Sequence, residues 1–145
     1  MKRFRRITAI ALTLVVIAML GISASAAGSN TIINGDFGVG ATFSWNLTTS
    51  EARADAVFYG AEDDHIDFQN HYISIEYTFI HKTTNGTDED IVTSSSTRNY
   101  SITAVATADS NHKLKTAKYY YEARYIANEV VDCYLYHGPV TLTNP

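Results

Sequence analysis

The chain has 145 residues, with 11 Lys and Arg against 15 Asp and Glu, 10 tyrosines and a single cysteine. One cysteine excludes an intramolecular disulfide framework, so packing alone has to hold the fold. The acidic balance repels phosphate backbones and anionic lipid, which argues against nucleic-acid binding and against a cationic membrane-active peptide.

At the start, Lys2, Arg3, Arg5 and Arg6 precede an apolar run from Ile7 to Leu20, and Ala24-Ser25-Ala26 follows. A basic stretch, an apolar stretch and a small-residue site in succession read as a secretory signal peptide, residues 1–26, cut after Ala26. The apolar run is shorter than the roughly 20 residues that cross a bilayer. The expected product is therefore one secreted, extracellular domain, residues 27–145, with no membrane insertion of the mature chain. Removing the four basic residues leaves 7 Lys and Arg against 15 Asp and Glu, a net charge of −8.

Beyond the leader the pattern is period-two alternation, and no window carries an apolar stripe of helical period between caps. After a glycine-rich lead-in, "TIINGDFGVG", the segment "ATFSWNLT" sets Phe43, Trp45 and Leu47 on one face of a strand. "ARADAVFYG" aligns Ala52, Ala54, Ala56 and Phe58, small residues suited to face that bulky row. "HYISIEYTFIH" turns Ile73, Ile75, Tyr77 and Phe79 inward. Asn85-Gly86 then supplies a type I′ hairpin turn, which sets Lys82 opposite Glu89, His81 opposite Asp90 and Phe79 opposite Val92. "TSSSTR" reads as a bulge or crossing loop, "NYSITAVATA" as a strand with Tyr100, Ile102, Ala104 and Ala106 inward, and "DSNHKLKT" as the next turn. About six to seven strands with turn signals between them predict an all-β, antiparallel β-sandwich, immunoglobulin-like or jelly-roll-like.

The last hairpin, "KYYYEARYIANEVVDCYLYHG", holds six of the tyrosines and the cysteine. With Ala127-Asn128-Glu129 as its loop, Tyr125 faces Val131, Ala123 faces Cys133, Tyr121 faces Leu135 and Tyr119 faces His137. That row is expected to be core, with Cys133 a small buried hydrophobe. The alternate row sets Ile126 against Val130, Arg124 against Asp132, Glu122 against Tyr134 and Tyr120 against Tyr136, and its charges mark it as the wet face.

Tyr120, Glu122, Arg124, Asp132, Tyr134 and Tyr136 are accordingly the candidate binding residues, because flat exposed aromatics beside charged groups give large contact area with few frozen rotamers. Ordinary strand propensity of tyrosine is the plainer explanation for the same cluster. In "AEDDHIDFQNHY", His65, Asp67 and His71 share a face if the segment is extended, which makes them weak metal candidates, although the spacing matches no established ligand motif. Cys133 and His137 lie roughly 13 Å apart along one strand, too far for a catalytic dyad. No cofactor is expected. The sequence points to an exported non-catalytic sandwich that binds a glycan, peptide or cell-envelope partner. The alternative is a secreted effector, either a bacteriocin-like antagonist or a small metal-dependent hydrolase.

Overall fold

The computed structural model describes residues 26–60, 64–81 and 86–144. Residues 1–25 of the expected leader, and Asn85 of the expected Asn85-Gly86 turn, lie outside the described residues.

Eight strands follow one another along the chain: β1 Ala26–Asn34, β2 Val39–Leu47, β3 Glu51–Tyr59, β4 Ile66–His81, β5 Thr87–Ser96, β6 Ser101–Thr107, β7 His112–Ala127 and β8 Val131–Thr143. They form two four-stranded antiparallel sheets, ordered β1-β2-β3-β6 and β5-β4-β7-β8. The β-sandwich read from the alternation is present, with eight strands rather than six or seven. The glycine-rich lead-in is strand on both sides of a turn, residues 31–34 ending β1 and Val39-Gly40 opening β2, and two glycines of these strands are roofed by aromatic rings of the neighbouring strand. A Cβ on Gly28 would sit 2.8 Å from the Trp45 ring, and one on Gly40 would sit 2.3 Å from the Tyr59 ring. Each glycine is also the cross-strand partner of the aromatic residue that covers it.

The core follows from small residues placed opposite large ones. Phe43, Trp45 and Leu47 of β2 pair with Ala56, Ala54 and Ala52 of β3, as the alternation predicts. On the other side of β3, Ala52 and Ala54 pair with Ala106 and Ala104 of β6. The inner face of the first sheet is thus largely alanine, leaving depth for the bulky inner face of the second. Tyr119, Tyr121 and Tyr125 of β7 fill that depth and are fully buried. Tyr121 stacks on Phe43 with ring centroids 5.6 Å apart, and Tyr125 lies 5.8 Å from Phe58. The Tyr119 hydroxyl donates a hydrogen bond across the sandwich to the Asn46 carbonyl, and Asn34 Nδ2 donates to the Tyr125 hydroxyl at 2.9 Å. The Tyr121 hydroxyl is buried with no hydrogen-bond partner among the described residues.

Several local expectations are corrected. In the β4–β5 hairpin Phe79 pairs with Asp88 and Val92 with Ile75, a displacement of four residues from the expected register. His81 N–H donates to the Gly86 carbonyl at 3.3 Å, so the loop is longer than a two-residue turn. β5 runs through Ser96, so the first part of "TSSSTR" is strand and the crossing to the first sheet starts after it. Tyr100 is exposed rather than inward, its ring 5.3 Å from that of Phe68. The turn in "DSNHKLKT" is over by Asn111, and β7 begins at His112 and buries Leu114.

The two central tyrosines should respond oppositely to loss of the hydroxyl. Tyr119→Phe removes a hydrogen bond and should cost about 1 kcal/mol, whereas Tyr121→Phe removes an unpartnered buried hydroxyl and should stabilise by about 1–2 kcal/mol. Urea melts of the two variants check this, and equal losses in both would contradict the assigned environments.

Candidate functional site

The last hairpin turns on Asn128 and Glu129, both left-handed with φ of 48° and 64°. Asparagine tolerates that conformation, as expected at Asn128. The loop is nevertheless shifted by one residue from the expected one, to Asn128-Glu129-Val130, because Ala127 pairs directly with Val131. The observed pairs are Tyr125 with Cys133, Ala123 with Leu135 and Tyr121 with His137, two residues away from the expected register. Past Tyr121 the register shifts again at a bulge, and Tyr119 pairs with Val140. A displacement of two leaves every side chain on its assigned face. Tyr119, Tyr121 and Tyr125 are therefore inside, while Tyr134 and Tyr136 are exposed by 50% and 67%. Cys133 is free and only half-buried, not enclosed as expected, because β8 is an edge strand with cover on one side.

On the wet face, Arg124 still meets Asp132, but diagonally. Its Nε and Nη2 donate to Oδ1 and Oδ2 of Asp132, both at 2.9 Å, although Asp132 stands opposite Ile126. This forked contact holds the Asp132 carboxyl below the usual carboxylate range. Tyr120 and Tyr136 do not pair, since Tyr120 sits at the bulge. The Tyr120 hydroxyl donates to Glu122 Oε2 at 2.8 Å, and burial, reinforced by Glu122, pushes its pKa up to about 12. It remains a donor at any physiological pH.

Pairing with β4 adds a residue that the hairpin alone does not reveal. Tyr72 on β4 is the partner of Glu122, and Glu122 is the partner of Tyr136, so Tyr72, Glu122 and Tyr136 form one row across three strands. The adjacent row is Asn70, Arg124 and Tyr134. Two tyrosine rings thus flank a carboxylate, with a guanidinium and a third tyrosine beside them. The sequence signal for Tyr72 was its place on the outward side of β4, but its neighbours depend on which strand lies beside β4.

At the edge of this face β8 meets β1. Asn30 Nδ2 lies 3.0 Å from His137 Nδ1, and the His137 ring stacks on Trp45 with centroids 5.4 Å apart. Above this contact a groove of about 450 Å³ opens, lined by Ile33, Asn34, Asp36, Tyr134 and Tyr136 among others. Ile33 is 65% exposed there. Of the six expected binding residues, Tyr134 and Tyr136 reach this groove, while Tyr120, Glu122, Arg124 and Asp132 bond to one another on the sheet.

The weak metal candidates are not brought together. β4 carries a bulge between Phe68 and Asn70, which reverses the alternation, so Asp67 points outward and His71 inward. Among the described residues no group of three or more His, Cys, Asp or Glu side chains is arranged to hold a metal ion. His71 is 1% exposed, edge-on to Phe68 and Tyr121, and neither ring nitrogen has a well-formed hydrogen bond. Burial lowers its pKa to about 4, opposed only weakly by the nearby Asn99 backbone.

Compared with protein-family models and with curated proteins, the chain matches none.

Because folded His71 resists protonation and unfolded His71 accepts a proton near pH 6.5, the unfolded state gains protons first as the pH falls. Stability should drop between about pH 6.5 and 4 by on the order of 3 kcal/mol from this residue. Denaturant melts across that range should show the extra loss in the native protein and not in His71→Phe. Identical pH slopes would refute the buried neutral imidazole.

Proposed function

We propose that the chain is an exported, non-catalytic binding protein that takes a glycan, peptide or cell-envelope partner on the outer face of its second sheet. The observation that carries this reading is the Tyr72, Glu122, Tyr136 row. Adjacent strands stand about 4.8 Å apart, so the two rings, with β7 between them, are spaced by roughly 10 Å, an interval comparable to two successive sugar residues. Sugars offer an apolar ring face for stacking and hydroxyls for a carboxylate to accept. A glycan is therefore the favoured ligand among the three. The groove beside Tyr134 and Tyr136 gives a chain-like ligand somewhere to continue. Arg124 and Asp132 neutralise each other, so the face does not demand a highly charged partner. Export rests on the basic, apolar and Ala-x-Ala succession at the start of the sequence.

Glycan and peptide arrays probed with the protein recovered from culture medium should give a glycan hit. Tyr72→Ser and Tyr136→Ser should each weaken that binding at least tenfold, or about 1.4 kcal/mol, while costing folding no more than about 1 kcal/mol. Tyr121→Ser is the contrasting change, since emptying a core position should cost about 3–5 kcal/mol. Wild-type binding by the two surface variants would remove the proposed face, and a hit confined to peptides would replace the glycan.

Sequencing of the recovered protein is expected to begin at Ala27. An intact leader in a membrane fraction would contradict export.

A further inference from the structure

We propose that His81 and His112 form a two-imidazole site for a tetragonal first-row transition-metal cation, Cu²⁺ or Ni²⁺. The two residues are cross-strand partners where β4 ends and β7 begins. Nδ1 of His81 lies 2.7 Å from Nε2 of His112. The ring centroids are 4.2 Å apart with planes at 64°, closer than two rings meeting head-on would stand. The two nitrogens share a hydrogen bond, and the rings are inclined to the line between them, as a chelate requires once the shared proton is displaced. The Phe79 ring lies edge-on to both imidazoles, 5.6 Å from His81 and 4.7 Å from His112, which restrains their rotation.

Asp109 supplies the second part of the argument. His112 Nδ1 donates to Asp109 Oδ1, which leaves Nε2 as the unprotonated nitrogen on the His81 side. A carboxylate on the far nitrogen is the arrangement that fixes the tautomer of metal-ligating histidines and raises their basicity. Asp109 Oδ1 also accepts from the backbone N–H of Asn111 at 2.8 Å, which holds the carboxylate in place beside His112. Asp109 and Asp90 also line a depression of about 200 Å³ on the His112 side, placing two carboxylates on a cation's approach.

Distance selects the metal. With metal–nitrogen bonds of about 2.0–2.1 Å, two nitrogens stand about 2.9 Å apart at a right angle and about 3.3 Å apart at a tetrahedral one. The observed 2.7 Å needs little opening for the first and much more for the second. Square or tetragonal coordination with nitrogen ligands is the habit of Cu²⁺ and Ni²⁺, whereas structural Zn²⁺ is tetrahedral. The remaining positions go to water. On binding, the proton of the His81–His112 hydrogen bond moves from His81 Nδ1 to His81 Nε2, which frees both facing nitrogens to ligate.

Calorimetric titration of the chain with CuCl₂, NiCl₂ or ZnCl₂ at pH 7.5 should show one site, with Ni²⁺ bound more tightly than Zn²⁺. His81→Ala and His112→Ala should each abolish it, Asp109→Asn should weaken it about 10–100-fold, and His137→Ala should leave it intact. Electron paramagnetic resonance of the Cu²⁺ form of the unmutated protein should show two imidazole nitrogens, a readout that does not depend on any variant folding. One nitrogen or none, tighter Zn²⁺ than Ni²⁺, or equal loss in His137→Ala would overturn the assignment.

Discussion

The sandwich depends on three tyrosines reaching from one sheet into the alanine-rich inner face of the other, where small residues leave room for them beside Phe43 and Phe58. Tyr119, Tyr121 and Tyr125 are fully buried on β7, with Tyr121 on Phe43 and Tyr125 beside Phe58, while Phe43 and its neighbours on β2 are in turn paired with Ala52, Ala54 and Ala56 of β3. Packed sheets stand about 10 Å apart, so bulk on one face requires smallness on the other. Two of the three hydroxyls are satisfied at their far ends, by the Asn46 carbonyl and the Asn34 amide. Those two bonds bind β7 to β2 and to the end of β1, elements distant in sequence. With no disulfide among the described residues, such cross-sheet contacts are what fixes one sheet relative to the other.

The same constraint made much of the fold legible in the sequence. Alternation places Ala52 to Phe58 and Tyr119 to Tyr125 on inner faces without reference to any partner, and the structure agrees residue by residue. Register was less legible. The β4–β5 and β7–β8 hairpins are displaced by four residues and by two, because their loops are centred two residues and one residue away from the expected turn positions. Both displacements are even, which is why face assignments survived wrong pairings. Bulges are a different matter, since an extra residue leaves no side-chain signature. The one after Phe68 reverses the alternation and sends His71 inward, away from Asp67.

The candidate site divides along the same line. Tyr134 and Tyr136 were readable because their exposure follows from one strand's alternation. Tyr72 and the His81–His112 contact were not, because both arise where β4 lies beside β7, strands separated in sequence by β5 and β6. Ile33 and Asp36 join the groove only because β1 and β8 are neighbouring edges of the two sheets. Local pattern identifies a side chain's face, and long-range topology decides its company.

β5 is an open edge of the second sheet, and Asp88, Glu89 and Asp90 stand exposed along it beside Ile91. An unpaired strand edge is a template onto which a like strand of another molecule can add. Three successive carboxylates make any such addition a meeting of like charges, so the edge is guarded by repulsion rather than by cover. That guard is conditional on low screening. In concentrated salt the molecule would keep its sandwich and lose its reluctance to self-associate, making colloidal behaviour, not unfolding, the first property to change.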